Sequence, residues 1–143
     1  MPKQSPVPDD FSKPFWDACN EERLILQNCK TCDARRGLNA IQYPPQPTCV
    51  RCGASDTLEW LEMSGRGNIR EYCVMYDCRT RLLQADQPFN IACIELEEDR
   101  SVLMYSHLPG TPVDEVPIGA KVELIFEVTP ATGQKIPEWR VVG

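Results

Sequence analysis

The chain has 143 residues, 42% hydrophobic and 25% charged, with a net charge of −6. These values fit one compact unit, or two very small ones sharing a surface, and argue against a large catalytic domain. An acidic chain lacks the basic face with which a general phosphate-backbone binder displaces counterions, so nucleic acid is a weak expectation.

The opening segment, MPKQSPVPDD, holds three prolines and no apolar run, and reads as a loose arm with no secretory leader. No stretch of the chain approaches the ~20 apolar residues that span a bilayer, so no membrane is expected and the protein is assigned to the cytoplasm. In SKPFWDACNEER, Ser12 is placed to cap a helix through its hydroxyl and Pro14 suits the first turn. Phe11, Phe15, Ala18 and Cys19 recur at helical spacing, with Asp17, Glu21 and Glu22 on the polar side. A helix this short needs something to lean on, and its own domain is the simplest support.

RLILQNC, the cysteine-bearing segment and DTLEWLEMSG then alternate short apolar runs with loops rich in Pro, Gly and polar residues, the pattern of a small β ribbon. From Gly65 onward come five strand candidates: NIREYCVMYDC, FNIACIELEE, SVLMYSHL, KVELIFEVT and EWRVVG, separated by EEDR, LPGTP and TPATGQ. Five strands in so short a span suggest a small barrel. KVELIFEV alternates cleanly, with Val122, Leu124, Phe126 and Val128 on one face. The expected class is therefore mainly β. Residues 1–22 are expected to form the arm and amphipathic helix, 23–63 the cysteine-bearing ribbon and 64–143 the barrel, with GRGN at 65–68 as the hinge.

Cys29 and Cys32, then Cys49 and Cys52, form two CxxC pairs separated by sixteen residues, within the ~15–20 expected of a zinc ribbon. Two thiolates on each tight knuckle can bind one ion from the same side, and the second knuckle completes a tetrahedron. Gly53 follows the second pair, where positive φ lets backbone amides turn toward sulfur. Four thiolates fill the shell, so one structural Zn2+ is expected; iron of the rubredoxin type is the second reading and thiol redox chemistry the third. Cys19, Cys73, Cys78 and Cys93 read as small buried hydrophobes. His107, the only histidine, reads as structural or solvent-facing. No acid–base pair can be named, so turnover is not expected of this chain alone.

The order PFWDACNEERLILQNCKTC, YPPQPTCVRCG, LEWLEMSGRGNIREY and IGAKVELIFEV resembles a family of small acyl-CoA-associated proteins, formerly a domain of unknown function. Its members join an N-terminal helix, a rubredoxin-like zinc ribbon and a five-stranded OB-fold barrel. The resemblance covers residues 14–142. It implies a non-catalytic accessory subunit of a thiolase-like enzyme (thiolase, acyltransferase or retro-aldolase) acting on acyl-CoA thioesters, in the degradation of aromatic or steroid compounds. A permanent hetero-oligomer follows, with PFW and IQYPP as exposed docking segments. The first knuckle, continuing as CDARRGLNAIQYPP, is longer than the compact form of the family. Lys30, Arg35, Arg36 and Arg51 stand there against Asp33, so Arg35 or Arg36 is expected to approach the CoA phosphates. The rival reading is a single-stranded nucleic-acid binder in which Trp60, Tyr72, Tyr76 and Tyr105 stack on bases; Glu59, Glu62 and Glu71 beside them oppose it.

Overall fold

A computed structural model describes residues 3–36 and 40–143. The helix α1 spans Lys13–Asn20 and is followed by β1 (Ile25–Cys29), α2 (Lys30–Arg36), β2 (Ile41–Gln42) and β3 (Leu58–Glu62). β1 is the centre of a three-stranded antiparallel sheet ordered β2-β1-β3. The second sheet contains β4 (Arg66–Met75), β5 (Phe89–Leu96), β6 (Leu103–Ser106), β7 (Lys121–Val128) and β8 (Lys135–Val141), ordered β6-β5-β4-β7-β8. It curls into a nearly closed barrel. β6 and β8 meet without a ladder, and the Ser106 hydroxyl bridges them by accepting from the Trp139 amide at 3.0 Å. The chain is mainly β, with the helix, ribbon and five-stranded barrel that its pattern predicts.

One hydrophobic core runs through all three parts. Phe15 and Cys19 of α1, Leu24, Leu26 and Ile41 of the ribbon, and Ile69, Ile94, Leu96, Val122 and Trp139 of the barrel belong to the same buried cluster. α1 therefore leans on its own domain. Phe15 is 1% exposed and sets its ring edge-on to Trp16 at 4.8 Å. In IQYPP, Ile41, Gln42 and Pro45 are buried and Tyr43 half-buried. The expectation that PFW and IQYPP are exposed docking segments is corrected in part: Phe15 and Ile41 are drawn into the small core that joins ribbon and barrel, Trp16 and Tyr43 pack half-buried against it, and Pro44 stays exposed.

Four further expectations change. The arm is not loose at its described end, because Lys3 pairs with Glu127 and Glu138 and the Ser5 hydroxyl donates to Thr129 Oγ1 at 2.7 Å. Ser12 occupies the cap position of α1 without a side-chain bond to the helix. Its hydroxyl instead accepts from the Asp9 amide (3.0 Å), while its own amide donates to the Asp9 carboxylate (2.8 Å), so the reciprocal capping motif sits one turn earlier. Val128 is 62% exposed, because it closes β7 where the hairpin to β8 leaves the core. Cys73 is exposed rather than buried. The β4–β5 register slips between Ile69 and Glu71, and this bulge reverses which side chains face inward: Gly67 and Ile69 are buried before it, Tyr72 and Val74 half-buried after it. Cys19, Cys78 and Cys93 are buried, as expected.

The SGRG stretch carries two distinct demands. Gly65 takes φ +77° to turn the chain into β4, and its carbonyl accepts from the Leu124 amide at 2.8 Å. Gly67 packs so closely on β5 that a Cβ there would lie 2.5 Å from the Glu95 carbonyl oxygen.

Candidate metal centre

The ribbon brings the two cysteine pairs to one end. β1 delivers Cys29 as its last residue, and α2 begins at once, so Cys32 lies one helical turn away. This helix accounts for the described part of the long first knuckle. Gly37, which the sequence places beside that knuckle, lies outside the described residues. Cys49 and Cys52 sit on a tight loop closed by Gly53 (φ +77°), whose amide donates to the Cys49 carbonyl at 2.9 Å while the Cys49 amide donates to Ala54 at 2.9 Å.

The sulfur atoms of Cys29 and Cys52 are 3.7 Å apart and those of Cys32 and Cys49 3.9 Å apart, and all four lie within 4.8 Å of one another. Four sulfurs at ~2.3 Å from one tetrahedral ion stand ~3.8 Å apart, so the donor set and its spacing fit such an ion. Cys29, Cys32 and Cys49 are buried and Cys52 faces solvent.

The electrostatics of the four thiols divide. The Thr57 hydroxyl, 3.1 Å from Cys29 Sγ, and the Cys32 amide bring the Cys29 thiol down to about 6. Burial, and then the neighbouring Cys29 sulfur, push Cys32 up to about 12. At Cys49 burial opposes ionisation but is outweighed by the amides of Cys52 and Arg51, and the thiol is lowered. Four sulfurs this close cannot all carry charge without a cation among them. The cluster can hold a metal ion.

Side-chain amides hold the loops in place. The Gln42 amide accepts from the Val50 amide (3.0 Å) and donates to the Thr48 carbonyl (3.1 Å), fixing the chain on both sides of Cys49. Gln27 links the same loop through Gln46 in both directions, at 2.8 and 2.9 Å. Asn28 is fully buried, receives the Ala40 amide at 2.8 Å and donates to Asp33 and Glu59. Sequence reading passed over these residues, although buried amides within an apolar strand, as in LILQNC, are a signal that such groups have fixed partners.

Arg35 is exposed on α2; the side chain of Arg36 lies outside the described residues. Arg51 donates to the Ile41 carbonyl at 3.2 Å, and Lys30 lies 3.9 Å from Glu59. Of the aromatic residues set out for base stacking, Trp60 and Tyr72 pack against the core while Tyr76 and Tyr105 are exposed. A second cluster that sequence reading did not assemble joins His107, Glu127 and Glu138. These three lie on separate strands or beyond strand ends, so no spacing rule connects them. Among the described residues, no helix is long and apolar enough to cross a membrane.

Residues 60–127 match the family described as the ChsH2 C-terminal OB-fold domain. A probable enoyl-CoA hydratase alpha subunit from Thermomonospora curvata is 29% identical over 111 residues; the match takes in 77% of this chain but only 31% of that relative's length. A DUF35 domain-containing scaffold protein from Methanocaldococcus jannaschii is 27% identical over 103 residues, 72% of this chain and 67% of the relative. Among solved structures, a chain of the Ltp2-ChsH2(DUF35) aldolase superposes with a TM-score of 0.76 at 24% identity, covering 96% of this chain and 98% of that one. A DUF35-family protein of unknown function from Sulfolobus solfataricus superposes with a TM-score of 0.58 at 17% identity, covering 93% and 86%. The likenesses to solved structures establish the shared fold, and residues 60–127 are similar to the ChsH2-type C-terminal OB-fold domain.

Proposed function

We propose that this protein is a cytoplasmic, zinc-stabilised accessory subunit of a thiolase-like enzyme acting on acyl-CoA thioesters, in a degradation pathway for aromatic or steroid compounds. The observation that carries the reading is the closed cage of Cys29, Cys32, Cys49 and Cys52. A divalent ion held by four thiolates keeps no open position for water or substrate, so its work is to fix the ribbon's shape. Zinc is proposed over iron because a thiolate tetrahedron suits its filled d shell and needs no redox partner. The relatives' names point the same way, since one is a scaffold protein, one a subunit of a probable enoyl-CoA hydratase and one part of an aldolase with Ltp2.

Such a subunit needs a surface for its enzyme. Exposed Val50 and Tyr105, with half-buried Tyr43, line a groove between the second knuckle and β6, and apolar surface of this kind marks interfaces. Arg35, and Arg36 next to it in sequence, are proposed to meet the CoA phosphates held at that shared interface.

Co-expression with a thiolase-like protein encoded nearby tests the reading. The two chains are expected to purify as one complex, with one zinc per copy of this chain and thioester turnover absent from this chain alone. A lone chain that turns over an acyl-CoA, or one that refuses every thiolase-like partner, contradicts it. Within the complex, Arg35→Glu together with Arg36→Glu should raise KM for the acyl-CoA several-fold with little change in kcat; an unchanged KM removes the phosphate role.

A further inference from the structure

We propose that His107, Glu127 and Glu138 form a divalent-cation site at the seam of the barrel, and that the ammonium group of Lys3 is its built-in competitor. The site lies where β6 and β8 meet without pairing. His107 follows the last residue of β6, Glu127 comes near the end of β7, and Glu138 is on β8. Glu127 is paired in register with Ile136, so Glu138, two residues on, points to the same side of the sheet as a diagonal neighbour.

The donor atoms converge. His107 Nε2 is 3.1 Å from Glu127 Oε1 and 3.9 Å from Glu138 Oε1, and one donor from each residue lies within 4.8 Å of the others. Ligands bound at ~2.1 Å to one ion stand ~3.4 Å apart, so little movement is needed to close the three around it. Glu138, 5% exposed, is held from behind: its Oε2 accepts from the Ser106 hydroxyl at 2.6 Å and the His107 amide at 3.3 Å. Ser106 is in turn fixed by the amides of Leu108 (3.1 Å) and Trp139 (3.0 Å). A carboxylate with one oxygen so occupied presents the other to the site, as supporting hydrogen bonds do at metal ligands.

The position already attracts a cation. Lys3 Nζ contacts Glu138 Oε1 and lies 3.6 Å from Glu127 Oε2, which places a single positive charge against two carboxylates. A divalent ion in its place balances both. The arm would not be released by the exchange, because Ser5 keeps its own anchors on Thr129 and the Thr132 amide. One imidazole and two carboxylates make a harder donor set than the thiolate cage, so manganese serves as a probe that separates the two sites.

The test is Mn2+ binding to the full, zinc-loaded chain, read as loss of the free-ion electron paramagnetic resonance signal, with the thermal melt of each variant recorded in parallel. Wild type is expected to bind one Mn2+. Lys3→Met should tighten it roughly tenfold, the scale of coupling between mutually exclusive occupants. Adding Glu127→Gln to Lys3→Met should abolish the gain, and His107→Ala should do the same. Glu127 is at the edge of the cluster, so Glu127→Gln keeps the test decisive even where His107→Ala disturbs the fold. Lys3→Met binding no more tightly than wild type, or a gain that survives Glu127→Gln, overturns the site and leaves an ion pair that only fastens the arm.

Discussion

Removal of the metal should be legible in the cysteines themselves. The chain has eight, and their environments differ sharply: Cys73 and Cys52 are exposed, while Cys19, Cys29, Cys32, Cys49, Cys78 and Cys93 are buried. With an ion in the cage, Cys52 is a ligand and its sulfur is blunted despite its exposure, so a colorimetric disulfide reagent should find one fast thiol, Cys73. A strong chelator should then expose Cys29, Cys32, Cys49 and Cys52 together and raise the fast count to five. Cys19, whose thiol burial pushes up to about 12, and buried Cys78 and Cys93 should remain slow, because only thiolates that reach solvent react. The magnitude comes from the packing. Among the described residues, the cluster at this end of the ribbon adds Ala40 to its cysteines, with Leu58 alongside, little apolar surface with which to order the loops. A structural zinc contributes ~10 kcal/mol in small modules, comparable to the ~5–15 kcal/mol that holds a whole domain. The second knuckle should therefore unfold on chelation, with a lower melting temperature, while Leu24 and Leu26 stay in the main core. Two fast thiols before chelation, with no change in count or melting afterward, would refute the cage.

Other outcomes follow from packing. Gly67→Ala places a Cβ 2.5 Å from the Glu95 carbonyl and 2.9 Å from Ile94 Cγ2; overpacking of this kind costs about 1–3 kcal/mol, and Gly119→Ala, with positive φ but open space around it, should melt higher than Gly67→Ala. Equal melting temperatures would show that β4 and β5 can part at no cost. Phe15→Ala empties a site that is 1% exposed and should lose roughly 3–5 kcal/mol, about 10 °C in a calorimetric scan at the usual scale for this size. Because that core joins helix, ribbon and barrel, the transition should stay single and move as a whole; a separate early transition for the ribbon alone would contradict the shared core.

Much of the site was legible because its rules are local. A CxxC pair is a statement about residues three apart, and the Cys29–Cys32 and Cys49–Cys52 pairs needed only to be folded toward one another. The barrel strands were readable for the same reason, as each carries its own alternation between turn residues. The exposure of Cys73 was not, because a single slipped register between Ile69 and Glu71 reverses the faces of everything beyond it, and the bulge has no mark in REYCVM. The half-buried setting of Trp16 and Tyr43 depended on which elements packed across from them, a fact about residues distant in the chain.

Sequence alone determined the two cysteine pairs, the helix, the strand segments and the acidic balance, since each arises from side chains within a few positions of one another. Only the tertiary structure decided that ribbon and barrel share a core, that the amides of Gln27, Asn28 and Gln42 brace the knuckles, and that Lys3, His107, Glu127 and Glu138 meet. Those contacts span up to 135 positions. They exist because closing a small barrel forces its last strand against its third and draws the N-terminal arm across the seam.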